Sequence, residues 1–87
     1  MTSIWKFPLA LKDEQSVRMP SWTEILTVQF QGAQLCLWAL VEVEAPLVSR
    51  HFMIFGTGHD VPANEPALTY VGTVQQNGLV WHVFERL

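Results

Sequence analysis

The segment Gly56-Thr57-Gly58-His59 holds the residues of this sequence that are best suited to contact a ligand. Its glycines permit backbone conformations in which successive N–H groups point at one spot, and such a nest can hold a phosphate or a carboxylate. The Thr57 hydroxyl and the His59 ring would add two further donors. A turn that needs glycine only for its shape would have the same residues. The segment therefore predicts either an anion-binding turn or a plain strand end.

Tryptophan is frequent in this chain, with four residues among 87. An indole ring can stack on a flat ligand ring, and its N–H needs a partner when it is buried. Core packing explains two of the four comfortably, so we expect the others to line an interface or a pocket. A stacked base with cations or imidazoles near its phosphate would make a nucleotide site. The residues expected to contact such a ligand are Lys6, Trp38, Arg50, Gly56, Thr57, Gly58, His59, Trp81 and His82.

Signatures of catalysis and metal binding are weak in this sequence. The histidines His51, His59 and His82 lack the close spacing of a zinc motif such as HExxH. There is no GxSxG nucleophile elbow. Cys36 lies in an apolar run, which predicts a buried thiol and not a reactive one. We therefore expect no enzyme activity, no catalytic residue, no metal and no cofactor; an enzyme that uses a histidine as general acid or base is a less favoured alternative.

Length and charge narrow the class of protein. Five Lys and Arg residues against eight Asp and Glu residues give a net charge of −3. The basic residues are scattered, which disfavours binding of double-stranded nucleic acid. No apolar run approaches the ~20 residues of a membrane span, and the first residues lack a signal-peptide pattern. We expect a single cytoplasmic domain over residues 1–87, stabilised by homo-oligomerisation because so small a domain buries little surface.

The hydrophobic periodicity is that of strands. Residues 25–31 alternate, which places Leu26, Val28 and Phe30 on one face. A Gly-Ala turn follows. Residues 34–42 are almost wholly apolar, which favours a strand over the competing prediction, a helix. This strand is expected either to be buried on both faces or to meet a partner with its outer face.

Turn residues define the remaining strands. Asn77-Gly78 predicts a tight hairpin between strands at 70–76 and 79–85. Further strands are expected at 4–9, as an edge strand because of Pro8, at 16–19 and at 50–55, and a loop with at most one helical turn at 59–67. His82 is expected to be hydrogen-bonded in a core or an interface, or else to contact a ligand, whereas Glu85 and Arg86 are expected at the solvent. The predicted fold class is mainly β, a small antiparallel sheet or barrel of six or seven short strands with at most one short helical turn.

Seven segments spread over the whole chain form a recognisable pattern. They are Ile4-Trp5-Lys6-Phe7, Arg18-Met19-Pro20, Ile25-Leu26-Thr27-Val28-Gln29, Leu37-Trp38-Ala39-Leu40-Val41, Gly56-Thr57-Gly58-His59, Tyr70-Val71-Gly72-Thr73 and Leu79-Val80-Trp81-His82-Val83-Phe84-Glu85. Together these segments resemble a family of small, functionally uncharacterised proteins that are carried mostly by bacteriophages and prophages. The resemblance implies a setting in the cytoplasm of an infected bacterium, where small phage proteins often act against host defence.

Two kinds of counter-defence protein fit the sequence. A sponge is a small oligomer that sequesters a nucleotide-like second messenger of bacterial immunity by tight binding without turnover. This agrees with a Trp-rich chain that lacks a catalytic motif. An inhibitor of a host defence complex, as anti-CRISPR proteins are, would instead use exposed aromatic residues as its contact patch. We expect the first function and keep the second as the alternative.

Overall fold

The computed structural model describes residues 1–62 and 67–87, which form seven strands in two antiparallel sheets. The strands are β1 (Thr2–Leu9), β2 (Glu14–Pro20), β3 (Thr23–Gln31), β4 (Gln34–Glu42), β5 (Leu47–Gly56), β6 (Leu68–Gln76) and β7 (Leu79–Arg86). Sheet A has the order β1-β4-β3, and sheet B has the order β2-β5-β7-β6. The predicted mainly-β antiparallel fold is confirmed, in the form of two open sheets.

The predicted turns are present where the sequence places them. Gly32 has a φ of 60° in the β3–β4 turn, a conformation that costs glycine little. In the β6–β7 hairpin, Asn77 has a φ of 54° and Gly78 a φ of 80°, so both central positions are left-handed as expected. Residues 63–66 of the predicted 59–67 loop lie outside the described residues. No helix in the described part of the chain is both long and apolar enough to span a membrane.

The almost wholly apolar segment is the central strand of sheet A, which confirms a strand and not a helix. β4 pairs with β1 on one side and with β3 on the other. Its inner face supplies core residues such as Leu37 and Val41. On its outer face, the thiol of Cys36 is fully buried, as the apolar setting predicts.

A bulge in β3 changes which face its first residues occupy. The register against β4 shifts between Ile25 and Thr27, so that Leu26 is an extra residue. Ile25 therefore packs against the core together with Phe30, whereas the Leu26 side chain is 48% exposed. The prediction that Leu26 shares the face of Val28 is wrong. The extra residue interrupts the in–out alternation of side chains, so that Ile25 and not Leu26 faces the core together with Val28.

The core is one layer of apolar side chains between the inner faces of the two sheets. Burial of such side chains is the main source of stability in a domain of this size. The buried members of the layer are Phe7, Leu9, Val28, Leu35, Leu37, Ala39 and Val41 from sheet A and Met19, Phe52, Ile54, Val74 and Val83 from sheet B.

The two sheets meet closely where β3 passes β6. A Cβ atom at Gly72 would lie 2.7 Å from Cγ1 of Val28, so only glycine permits this approach without a shift. Beside it, the Gln76 side-chain amide donates to the Gly32 carbonyl at 2.9 Å. We call this contact between β3 and β6 the seam. Because its partners belong to different sheets, the seam sets how closely sheet A and sheet B approach each other at this point.

The path of the chain in sheet B places the Gly56-Thr57-Gly58-His59 turn. β5 and β6 both pair antiparallel with β7, so they run parallel to each other. The connection that follows β5 starts at Gly56, which lies opposite Trp81 in the register of β5 with β7. The turn is thereby held beside the β6–β7 hairpin.

A substitution at the seam tests its tightness. We expect Gly72→Ala to lower the free energy of unfolding by about 1–3 kcal/mol, because the new methyl group overpacks against Val28. Val28→Ala alone should also destabilise the fold, by leaving a cavity. In the double variant the two changes should offset one another by at least about 0.5 kcal/mol. Denaturant unfolding of the four proteins measures this coupling, and strictly additive costs would contradict the close contact.

Candidate ligand-binding cleft

The turn after β5 and the hairpin between β6 and β7 enclose an open cleft of about 510 Å³. Pockets for small molecules typically have volumes of about 300–1,000 Å³. Gly56, Thr57 and His59 line one side, and residues 78–81 line the other. The cleft thus brings together four of the residues expected to contact a ligand: Gly56, Thr57, His59 and Trp81.

A contact between the two sheets, from β3 to β7, holds the ring of Trp81 in place. Its ring lies 5.9 Å from that of Phe30, at an interplanar angle of 64°. This edge-to-face arrangement is a favoured geometry for two aromatic rings. The side chain is half-buried, since part of it packs against the core while it also lines the cleft. The ring is therefore a positioned apolar wall.

The backbone of the turn uses most of its donors within the fold. The N–H of Gly56 donates to Nδ1 of His59 at 3.2 Å, and the N–H of His59 donates to the Gly56 carbonyl at 3.0 Å. The N–H of Thr57 donates to the Val80 carbonyl at 3.2 Å. The amides of Gly56 and Thr57 therefore do not form the expected anion-binding nest, because acceptors of the same chain already hold them.

The side chains of the turn supply donors instead. Because Nδ1 of His59 accepts from a backbone N–H, the neutral ring carries its proton on Nε2. The ring lies directly over Gly56, where a Cβ atom would be 2.8 Å from its Cε1 atom. Gly56 is thus needed for this close approach, while Gly58 is needed for its φ of 90°. Thr57 and His59 are both among the residues that line the cleft.

His82 lies on the outer face of sheet B, behind the cleft. Its Nε2 lies 2.8 Å from the Thr57 hydroxyl, and its Nδ1 lies 3.0 Å from the hydroxyl of Thr73. Thr73 in turn lies 2.6 Å from the phenol of Tyr70. His82 is hydrogen-bonded, which is one of its two expected roles, and it contacts Thr57, a residue that lines the cleft.

Sequence reasoning missed Tyr70 and Thr73, although one signal could have identified Thr73. A two-residue Asn-Gly loop pairs residue 76 with 79, and counting back along the ladder pairs Thr73 with His82. The position of Tyr70 depends on a second bulge, since the register shifts between Tyr70 and Gly72. That bulge has no evident signal in the sequence.

Arg50 holds the two sheets together at a distance from the cleft. Its Nε and Nη2 atoms donate to the two carboxylate oxygens of Glu85 at 2.5 and 2.6 Å, and Nη1 donates to the Thr23 carbonyl of sheet A at 2.6 Å. The hydrogen bond from Glu85 raises the pKa of the Arg50 guanidinium above its ordinary value. Glu85 is buried, so its expected exposure at the strand end is wrong; burial is tolerated because Arg50 neutralises the carboxylate. Six residues of strand, or about 20 Å, separate Arg50 from Gly56.

Lys6 and Trp38 lie opposite each other in the pairing of β1 with β4. They share the outer face of sheet A, where the Lys6 ammonium donates to the Gln31 side-chain carbonyl at 2.8 Å. The described residues that line the cleft all belong to sheet B and its turns. Within one chain, Lys6 and Trp38 are therefore not brought to the cleft.

The histidines lie at separate places. Nδ1 of His51 lies 2.9 Å from the Ser16 hydroxyl, while His59 and His82 contact the turn after β5. Among residues 1–62 and 67–87, no three His, Cys, Asp or Glu side chains are grouped so that they could hold a metal ion.

The fold and the site define a small two-sheet β protein with a cleft at one end of sheet B, lined by a tryptophan, a hydroxyl and an imidazole. The chain belongs to the family DUF7352, described as a domain of unknown function, whose family model matches residues 1–87. The comparison with curated proteins gives no match, and neither does the comparison with solved structures. Membership of an uncharacterised family over the whole chain confirms that part of the resemblance which concerns a family without known function.

The ion pair of Arg50 with Glu85 can be tested by removing one charge. We expect Glu85→Gln to lower the free energy of unfolding by about 2 kcal/mol, because it leaves the Arg50 charge without its carboxylate in a site where that side chain is only 23% exposed. Glu14→Gln is the matched control, since Glu14 pairs with Arg86 at 3.3 Å on the surface. The control should cost at most about 0.5 kcal/mol. Chemical denaturation measures both, and equal costs would contradict a structural role for Arg50.

Proposed function

We propose that the protein binds a small nucleotide-like ligand in the cleft and holds it without turnover. The observation that carries the proposal is the convergence of Trp81, Thr57 and His59 on one cleft of small-molecule size. A flat apolar ring beside two polar side chains is the combination that a nucleotide base and its phosphate require. Substrate turnover is not part of the proposal, because the sequence carries no catalytic motif.

Stacking on Trp81 would supply the apolar part of the binding energy. Stacking of a base on an aromatic side chain is typically worth about 1–3 kcal/mol. The contact between Trp81 and Phe30 fixes the indole ring before a ligand arrives. A fixed ring loses little conformational freedom on binding, which favours affinity.

Hydrogen bonds from the turn would orient the phosphate. Nδ1 of His59 accepts the hydrogen bond from Gly56, so the Nε2–H of the neutral ring would be the donor to a phosphate. Thr57 would add its hydroxyl. Hydrogen bonds to an ionised acceptor are about twice as strong as neutral ones. None of the described residues that line the cleft is acidic, so an anionic group would meet no repulsion from its walls.

The biological setting of the proposal comes from the family resemblance. In a bacterium infected by a phage, the ligand would be a second messenger of host immunity, and the protein would act as a sponge in the cytoplasm. Stoichiometric capture suits a homo-oligomer. Lys6 and Trp38 lie on sheet A, whereas the cleft of the same chain lies on sheet B. They would therefore reach a ligand only in the cleft of a second copy.

Calorimetry with a panel of cyclic dinucleotides and ADP-ribose derivatives tests the proposal. We expect one member to bind, and Trp81→Leu to weaken its binding at least about tenfold through loss of stacking. Trp22→Phe is the control, because Trp22 is exposed in the turn between β2 and β3, near the far end of β5. Failure of the whole panel, or equal effects of the two variants, would contradict the proposal. Mass spectrometry should recover the bound ligand intact.

Binding of a host defence protein is the second candidate function, and one surface favours it. Trp22, Leu47 and Val48 are 48%, 51% and 37% exposed. The pairing of Pro20 with Leu47, and the Ser21 N–H bonded to the Pro46 carbonyl at 2.8 Å, place this Trp22 patch at one end of the molecule. Exposed aromatic and aliphatic side chains of this kind are typical of contact hot spots. A partner of this patch would be lost in Trp22→Ala and retained in Trp81→Leu.

A further inference from the structure

A chain of four side chains runs across the outer face of sheet B and ends at the cleft. It passes from the Tyr70 phenol to the Thr73 hydroxyl, through the imidazole of His82, to the Thr57 hydroxyl, with contacts of 2.6, 3.0 and 2.8 Å. All three distances are those of good hydrogen bonds. Thr57 is one of the residues that line the cleft, so the chain ends at a residue of the cleft wall.

Each hydroxyl has a single proton, so the direction of one bond sets the direction of the next. A phenol is a better hydrogen-bond donor than an aliphatic hydroxyl, so we assign Tyr70 as the donor and Thr73 as the acceptor of this bond. Thr73, having accepted this bond, donates its own proton to Nδ1 of His82. The neutral ring then carries its proton on Nε2 and donates to the oxygen of Thr57.

We propose that this chain fixes the Thr57 hydroxyl as a donor toward the cleft, with His82 as its positioning residue. Thr57 accepts from His82, so its own proton is available to a ligand. The cleft would thereby select a group that only accepts hydrogen bonds, such as a phosphate oxygen. This selectivity rests on the proposed function, whereas the direction of the chain does not.

The opposite direction would have a different consequence. If Nδ1 of His82 carried the proton, Thr57 would donate to Nε2, which is the arrangement of a nucleophile with its general base. Thr57 would then offer only an acceptor to the cleft. The tautomer of His82 therefore separates a binding site from the beginnings of a catalytic one.

Aromatic packing holds the origin of the chain in place. The Tyr70 ring lies 5.5 Å from that of Phe84, which lies 5.8 Å from that of Phe55, both in edge-to-face geometry. Thr73 and His82 are direct partners in the pairing of β6 with β7. The pairing of β6 with β7 therefore holds the middle of the chain, and packing on Phe84 holds the ring of Tyr70, which is 58% exposed.

The ¹⁵N chemical shifts of the His82 ring test the direction in the ligand-free protein, at a pH where the ring is neutral. We expect the Nε2–H tautomer, with Nδ1 as the acceptor. In Tyr70→Phe the Thr73 hydroxyl can point either way, so the Nδ1–H form should become populated. Ser16→Ala is the matched control, because it removes a hydroxyl beside Nδ1 of His51 on the same face. An Nδ1–H tautomer in the unaltered protein, or a Tyr70→Phe variant without effect, would overturn the inference.

Binding of ADP-ribose tests the consequence for selectivity. Loss of the Thr57 donor in Thr57→Val should raise the Kd about tenfold, and Tyr70→Phe should raise it about two- to threefold. Thr57→Ser should bind as the unaltered protein does. If the Nε2–H tautomer is found and no nucleotide binds, the direction of the chain stands and the proposed function is contradicted. If ADP-ribose binds and Thr57→Val has no effect, the selectivity is contradicted and the proposed function stands.

Discussion

The close contact of the two sheets at the seam is the constraint on which the rest of the structure depends. One apolar layer connects the two sheets of this 87-residue chain. The backbone of one sheet can approach the other sheet closely only where a side chain is absent. Gly72 gives that room against Val28. Beside it, Phe30 of sheet A packs on Trp81 of sheet B, so the seam also sets the position of the wall of the cleft.

The division of polar groups determines what the cleft can offer a ligand. The amides of Gly56 and Thr57 are bonded within the fold, and Arg50 is neutralised by Glu85. The described residues that line the cleft include no Asp, Glu, Lys or Arg, and those with an aromatic or polar side chain are Trp81, Thr57 and His59. The ligand proposed for this site would therefore draw its affinity mainly from stacking on Trp81 and from hydrogen bonds.

Local sequence signals predicted the strands, the turns and much of the strand facing. Asn77-Gly78 predicted the hairpin with both left-handed positions, and the alternation in β7 placed Trp81 and His82 on opposite faces. Bulges were not predictable, because one extra residue leaves no mark on composition; Leu26 was misplaced for that reason.

The candidate site was predictable only in part, because it depends on contacts between distant segments. Arg50 meets Glu85, which is 35 residues away, and Lys6 faces Trp38 across β1 and β4. Neither contact has a local signature in the sequence. The sequence therefore predicts one site for nine residues, whereas the fold places them on the outer face of sheet A, at the Arg50–Glu85 ion pair and around the turn after β5. The turn after β5 lies opposite β7 in the register of sheet B. This pairing brings four of the predicted residues to the cleft: Gly56, Thr57, His59 and Trp81.

Mapping of amide chemical shifts during titration with ADP-ribose or a cyclic dinucleotide locates a bound nucleotide residue by residue. If the nucleotide binds in the cleft, the amide signals that move belong to residues 56–59 and 78–81, and the indole N–H signal of Trp81 shifts with them. A spectrum that no nucleotide changes would contradict binding in the cleft. So would shifts confined to the Trp22 patch.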